Sequence, residues 1–117
     1  EGKDLKVVND QIMCPTYSYD LAAKIKELIE KPAPFGIYHI TNQGFCSWYE
    51  FAKEIFKLAK IDKKIKPVDR GGMSGEMRRP KFSALKNIKA KTLGITLPSW
   101  QKGLKSYFNF LNKVKSI

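Results

Sequence analysis

The sequence has 117 residues, of which 43% are hydrophobic and 14 are aromatic. That length and composition suffice for one domain that builds a core without disulfides or metal ions. No apolar run approaches the ~20 residues that a membrane-spanning helix needs, and the start shows no signal-peptide pattern. We therefore expect a soluble, cytoplasmic protein with no membrane segment.

The net charge of +11 is concentrated in the second half of the chain. Residues 1–59 carry 7 basic and 8 acidic side chains, whereas residues 60–117 carry 15 and 3. A basic surface can bind nucleic acid, but 19 of the 22 basic residues are scattered lysines, and base-edge and bidentate phosphate recognition favour arginine. A nucleic-acid-binding module is therefore a minor alternative, because an anionic nucleotide ligand explains the charge with fewer assumptions.

The first 41 residues show a strand–helix–strand pattern. Apolar spacing predicts a strand at Leu5–Val8, a helix over 18–31 and a second strand at Ile37–Thr41. Such a βαβ unit joins parallel strands through a right-handed crossover, so we expect the two strands to be adjacent or nearly so. His39, the only histidine, is expected to be a packed strand residue, since a triad or metal site would lack partners.

The remainder of the chain is predicted to be mainly helical. Ser47 and Glu50 have the spacing of a capping box, which indicates the start of a helix over 47–60. Apolar periodicity predicts further helices near 84–92 and 98–114.

One short strand and one open loop are predicted between these helices. Ile65–Val68 contains a proline and is typical of an edge strand. Residues 69–76 have no apolar periodicity and are expected to form a long flexible loop, of the kind that often covers a substrate. Their run Gly71–Gly75 lacks the Gly-x-Gly-x-x-Gly spacing of a dinucleotide site.

The two cysteines, Cys14 and Cys46, have no cysteine or histidine at metal-ligand spacing. We interpret both as structural thiols, which fits a reducing compartment. The sequence assigns no metal to this chain.

Four segments carry the strongest functional signal. They are the strand and proline-fixed turn of Val7–Thr16, followed by Gly36–Asn42, Ser47–Ala52 and Arg79–Ser83. The first of them lies at the end of a strand, where open α/β folds place ligand contacts. In this order the four span most of the chain, and they closely resemble the C-terminal part of dTDP-4-dehydrorhamnose reductase, a family of extended short-chain dehydrogenase/reductases.

The resemblance implies a fold, a domain organisation and a reaction. The fold would be α/β, a partial βαβ layer with covering helices that forms the C-terminal part of a Rossmann-like enzyme. Residues 1–117 would be a single sugar-nucleotide-binding segment that lacks the N-terminal NADP-binding half. The family reaction is the NADPH-dependent reduction of dTDP-4-dehydro-L-rhamnose to dTDP-L-rhamnose, used for cell-surface polysaccharides. The segment alone would bind the dTDP-sugar but no NADPH, and exposed sheet edges would favour a homodimer.

Five residues are candidate substrate ligands. Asp10 and Gln11 follow a strand, where a carboxylate and an amide can bind sugar hydroxyls, and Thr16 begins the next helix. The family's Arg-Pro-x-x-Ser pattern implies a diphosphate-binding role for Arg79, together with Ser83. From the residues alone, Asp10 and Thr16 can equally cap the turn and the helix, and Arg79 can be a solvated surface arginine.

A catalytic pair is suggested by Tyr49 and Lys53, which match the Tyr-x-x-x-Lys spacing of the superfamily. The match lies in the substrate half, downstream of the family's catalytic pair, so we predict an ordinary pair on an amphipathic helix and no catalytic residue in this chain. The same architecture also resembles the regulatory subunit of methionine adenosyltransferase, so a non-catalytic binding protein is a second hypothesis.

The ligand itself gives a geometric expectation. One nucleotide diphosphate-sugar must reach both Arg79 and the Asp10–Gln11 pair, and treated as a short extended chain it is about 15 Å long. We therefore expect these residues to lie on one side of the folded segment, no more than roughly that distance apart.

Overall fold

The computed structural model describes residues 5–70, 73–74 and 77–115, without the side chains of Met73, Ser74 and Met77. The elements in chain order are β1 (Leu5–Val8), β2 (Ile12–Met13), α1 (Ser18–Glu30), β3 (Cys46–Ser47), α2 (Trp48–Ala59), β4 (Ile65–Val68), β5 (Met73–Ser74), β6 (Met77–Arg78), α3 (Ile88–Thr92) and α4 (Trp100–Lys115). They form two compact units, the first from Glu1–Met13 and Phe45–Ala84, the second from Cys14–Gly44 and Leu85–Ile117. The predicted α/β class is confirmed, and so are the helices predicted near 18–31, 47–60 and 98–114. The helix predicted over 84–92 is shorter than expected, because α3 begins only at Ile88.

The first unit is built on a parallel pair of strands. β1 pairs with β4 in a register that runs from Leu5 opposite Ile65 to Val8 opposite Val68. The pairing continues one residue further, because the Asn9 amide donates to the Val68 carbonyl at 2.8 Å. Helix α2 packs against both strands, as expected for a crossover element in a parallel layer.

Helix α2 begins with the predicted capping box. The Ser47 hydroxyl accepts from the Glu50 amide at 3.1 Å, and the Glu50 carboxylate accepts from the Ser47 amide at 3.0 Å. The same hydroxyl donates to the Asn9 side-chain oxygen at 2.8 Å. The start of α2 is thereby tied to the residue that follows β1.

The second unit has a core in which apolar side chains surround one buried amide. Its buried apolar residues are Ala90, Ile95, Leu97, Trp100 and Leu104. Asn42 is completely buried; its side-chain oxygen accepts from the Tyr17 amide at 2.7 Å, and its Nδ2 donates to Asp20 and to the Pro98 carbonyl, both at 3.1 Å. This side chain therefore connects the start of α1 with the turn before α4.

The predicted strand at Ile37–Thr41 is wrong. Within the described residues this segment has no ladder partner, and the parallel partner of β1 is β4. Ile37 is 80% exposed, and His39 is exposed rather than packed. An apolar alternation becomes a strand only beside another strand, and here the Thr41 amide instead donates to the Asn87 side chain at 2.9 Å.

The predicted loop at 69–76 also needs correction. β5 and β6 pair as a short antiparallel hairpin, with Met73 opposite Arg78 and Ser74 opposite Met77. Gly71, Gly72 and Gly75 of the glycine-rich run lie outside the described residues.

Neither Cys14 nor Cys46 forms a disulfide, and the Cys14 sulfur accepts a hydrogen bond from the Leu85 amide at 3.3 Å. The described part of the chain contains no helix long and apolar enough to cross a membrane. Nor do His, Cys, Asp and Glu side chains gather there in a group of three or more that would hold a metal ion.

Candidate functional site

Ile12 joins the two segments in which the substrate ligands were predicted. Its amide donates to the Lys81 carbonyl at 2.7 Å, and its carbonyl accepts from the Ser83 amide at 2.8 Å and from the Ser83 hydroxyl at 3.2 Å. Ile12 also pairs with Ser47 on its other side. The Arg-Pro-x-x-Ser segment is thus a neighbour of the Asp10–Gln11 turn within the first unit.

Arg79 is exposed and stands two residues before Lys81. Two residues span at most about 7 Å of extended chain, and paired segments lie about 4.8 Å apart. The Arg79 backbone is therefore within roughly 12 Å of the Ile12 backbone. The distance between the Arg79 guanidinium and the Gln11 amide, and the face that they share, remain predictions.

Asp10 holds the beginning of the hairpin segment. Both of its carboxylate oxygens lie 3.1 Å from the Arg70 amide, which donates to them. Together with the bond from Ile12 to Lys81, this contact fixes both ends of residues 70–81 on the short turn after β1. The Asp10 carboxylate thus binds a backbone amide 60 residues further along the chain.

Gln11 is the most unusual of the predicted ligands. It is only 4% exposed, and its side-chain Nε2 is buried with no hydrogen-bond partner among the described residues. An unsatisfied buried donor costs about 1–3 kcal/mol, so such a group calls for an explanation, for example a functional role or a bound water or ion. The sequence indicated Gln11 by its position after a strand, but it gave no sign that the amide would be buried.

Thr16 lies in the second unit, and its hydroxyl is used locally. It donates to the Cys14 carbonyl at 3.2 Å and accepts from the Asn42 amide at 3.4 Å. Tyr17, not Thr16, occupies the N-cap position of α1, and no side chain caps that end. Thr16 therefore orders the turn that leads into the helix.

Two phenylalanines beside the Ile12 ladder were not predicted from the sequence. Phe45 and Phe82 are 60% and 61% exposed, and their rings meet edge to face with centroids 5.6 Å apart. Phe82 pairs with Ile12, so this aromatic surface is part of the same ladder. Exposed rings of this kind offer a face on which a planar group can stack. Only the strand register reveals them, because the sequence places them 37 positions apart.

The Tyr49 and Lys53 side chains interact in a way that fits an ordinary helix surface. The Lys53 ammonium lies over the Tyr49 ring, 5.4 Å from its centroid. This is a cation–π contact between residues one helical turn apart.

Comparison with known proteins assigns the chain to a family. A family model described as the RmlD substrate binding domain matches residues 1–113. The chain belongs to this family. The RmlD substrate-binding assignment confirms the resemblance that the four sequence segments indicated.

Three similar proteins support the family assignment over most of the chain. The spore coat polysaccharide biosynthesis protein SpsK of Bacillus subtilis is 37% identical over 105 residues, which are 90% of this chain and 36% of SpsK. The solved dTDP-4-dehydrorhamnose reductase of Clostridium acetobutylicum superposes with a TM-score of 0.85 at 39% identity, over 93% of this chain and 39% of that one. The dTDP-4-dehydrorhamnose reductase of Bacillus anthracis, solved in complex with NADP, superposes with a TM-score of 0.83 at 38% identity, over 91% of this chain and 38% of that one.

The chain spans only 36–39% of the length of those relatives. None of these matches favours the regulatory-subunit or the nucleic-acid alternative.

Proposed function

We propose that this chain is the substrate-binding part of an NADPH-dependent dTDP-4-dehydrorhamnose reductase, which makes dTDP-L-rhamnose for cell-surface polysaccharides. The observation that carries the proposal is the pairing of Ile12 with Lys81 and Ser83, because it brings the two predicted halves of a sugar-nucleotide site into one ladder. The names of the related proteins support it.

In this proposal the ligand lies along the Ile12 ladder. The Arg79 guanidinium binds the diphosphate, for which its planar pair of donors is well shaped. The buried Nε2 of Gln11 donates to an oxygen of the sugar, which removes the cost of leaving that donor unpaired. Asp10 and Ser83 contribute at the sugar end while holding the neighbouring backbone, and Thr16 acts by ordering the turn before α1.

The cofactor belongs to residues outside this chain. Hydride transfer requires NADPH beside the sugar, yet the sequence has no Gly-x-Gly-x-x-Gly fingerprint to hold its pyrophosphate. The residues present do not fit a dinucleotide, so we assign this chain substrate binding alone. We propose that the protein is cytoplasmic, because thiols such as those of Cys14 and Cys46 stay reduced in that compartment. We also propose that it forms a homodimer.

Titration of the chain with dTDP-L-rhamnose in a calorimeter tests the proposal. We expect saturable binding that Arg79→Ala weakens by about 1.5–3 kcal/mol, the typical contribution of a hydrogen bond to a charged group. Arg78→Ala is the matched control, since Arg78 is also exposed and adjacent in sequence. Equal losses in the two variants would show that Arg79 contributes only general positive charge. If the unmodified chain showed no saturable binding, the proposal would be refuted.

A further inference from the structure

A cavity of about 370 Å³ lies entirely within the second unit. One wall is formed by Thr41, Gln43 and Gly44 and the other by residues 85–88, with Lys91, Ile95 and Thr96 completing it. Small-molecule sites have volumes of roughly 300–1,000 Å³, so the cavity is large enough for a compact ligand. None of the five predicted substrate ligands lines it.

The two walls of this cavity are fixed to each other. Asn87 accepts from the Thr41 amide at 2.9 Å and from its hydroxyl at 3.3 Å, and donates to its carbonyl at 2.7 Å. Gln43 is held by bonds to Leu97 and Pro98 at 2.8 and 3.0 Å. A ligand would therefore enter a preformed space, and its binding would lose little free energy to the ordering of side chains and loops.

The charge lining the cavity has one sign. Lys86 and Lys91 both line it, and none of its lining residues is acidic. Among the described residues, neither ammonium lies within salt-bridge distance of a carboxylate. Two lysines without acidic partners favour an anionic ligand through charge-assisted hydrogen bonds.

The apolar part of the lining restricts the ligand further. Ile95 is completely buried, whereas Leu85 and Ile88 are 44% and 71% exposed. Contiguous apolar surface rimmed by polar residues marks ligand-binding grooves, and these side chains line one cavity together with Lys86 and Lys91. The cavity therefore offers apolar contact as well as positive charge.

We propose that the cavity binds a small amphipathic anion, an apolar ring carrying a phosphate group. The ring packs on Leu85 and Ile88, and the phosphate is held by Lys86 and Lys91. This second site is separate in its residues from the proposed sugar-nucleotide site, and it does not depend on the function assigned to that site.

Phenyl phosphate, titrated into the isotope-labelled chain and followed by amide NMR shifts, tests the proposal. We expect saturable shifts at Thr41, Gly44 and Thr96, with inorganic phosphate and benzyl alcohol each binding at least about tenfold more weakly, because each supplies only one of the two contacts. The double variant K86Q/K91Q is expected to weaken phenyl phosphate by about tenfold, the size expected from losing charge-assisted hydrogen bonds.

Two control variants distinguish binding in this cavity from general charge attraction and from binding at Arg79. K53Q/K57Q removes two exposed lysines from α2 in the first unit and should leave the affinity unchanged; an equal loss would show general charge attraction and overturn the proposal. Arg79→Ala should also leave it unchanged, and a loss there would place phenyl phosphate in the sugar-nucleotide site instead. Shifts that do not map to the cavity, or that never saturate, would likewise overturn it.

Discussion

Gly103 lies directly against the buried side chain of Asn42. A Cβ at position 103 would stand 3.1 Å from Nδ2 and 3.2 Å from Cγ and Oδ1 of Asn42. Asn42 cannot withdraw without lengthening its bonds to Tyr17, Asp20 and Pro98. Helix α4 can therefore pack this closely on the Asn42 side-chain amide only with glycine at position 103.

Gly103→Ala is expected to lower the free energy of unfolding by about 1–2 kcal/mol, since overpacking of this kind costs about 1–3 kcal/mol and exceeds the helix-propensity gain of alanine. Urea denaturation measures the change, with Ser106→Ala on the exposed part of α4 as control. In an Asn42→Ala background the same substitution should become stabilising by about 1 kcal/mol. A gain in stability from Gly103→Ala alone would contradict the packing argument.

Ser47→Ala should destabilise the chain by about 1–2 kcal/mol, because it removes the helix cap and the bond to Asn9 together. Ser18→Ala provides the comparison, since α1 has no side-chain cap and little change is expected there. A double-mutant cycle with Asn9→Ala isolates the bond between the two side chains. If the two losses were strictly additive, the Ser47–Asn9 bond would contribute nothing.

Gln11→Met is expected to affect stability and ligand binding in opposite directions. Methionine has a similar shape and no donor to leave unpaired, so the unliganded chain should gain about 1 kcal/mol, measured by thermal and urea denaturation. Binding of dTDP-L-rhamnose should weaken in the same variant. A less stable protein would show that the amide is already satisfied, and unchanged affinity would remove Gln11 from the site.

The chain alone should show no oxidation of NADPH or NADH with dTDP-4-dehydro-L-rhamnose, because it lacks a cofactor fingerprint. Absorbance at the nicotinamide band measures this directly. Turnover that is lost in Tyr49→Phe would reveal that the Tyr-x-x-x-Lys match is catalytic after all.

Local signals predicted much of this structure. The capping box at Ser47 and Glu50 set the start of α2 correctly because its partners are three residues apart. The same holds for Leu5–Val8 and Ile65–Val68, whose composition made them strands. Their pairing with each other was not predicted, because parallel register depends on contacts between residues 60 positions apart.

The candidate site shows the same limit. Asp10, Gln11 and Arg79 were identified by residue type and motif, but the backbone bonds of Ile12 to Lys81 and Ser83, which join their two segments, could not be predicted. The strand expected at Ile37–Thr41 failed for a related reason: apolar alternation says nothing about whether a partner strand is present.

The anchoring of residues 70–81 at both ends has a consequence for the evolution of this chain. The Arg70 amide is held by Asp10, and the Lys81 carbonyl by Ile12, so residues 70 and 81 are both fixed to the turn after β1. Because both ends are held, the length of the segment between them can change through insertion or deletion while the turn after β1 keeps its geometry.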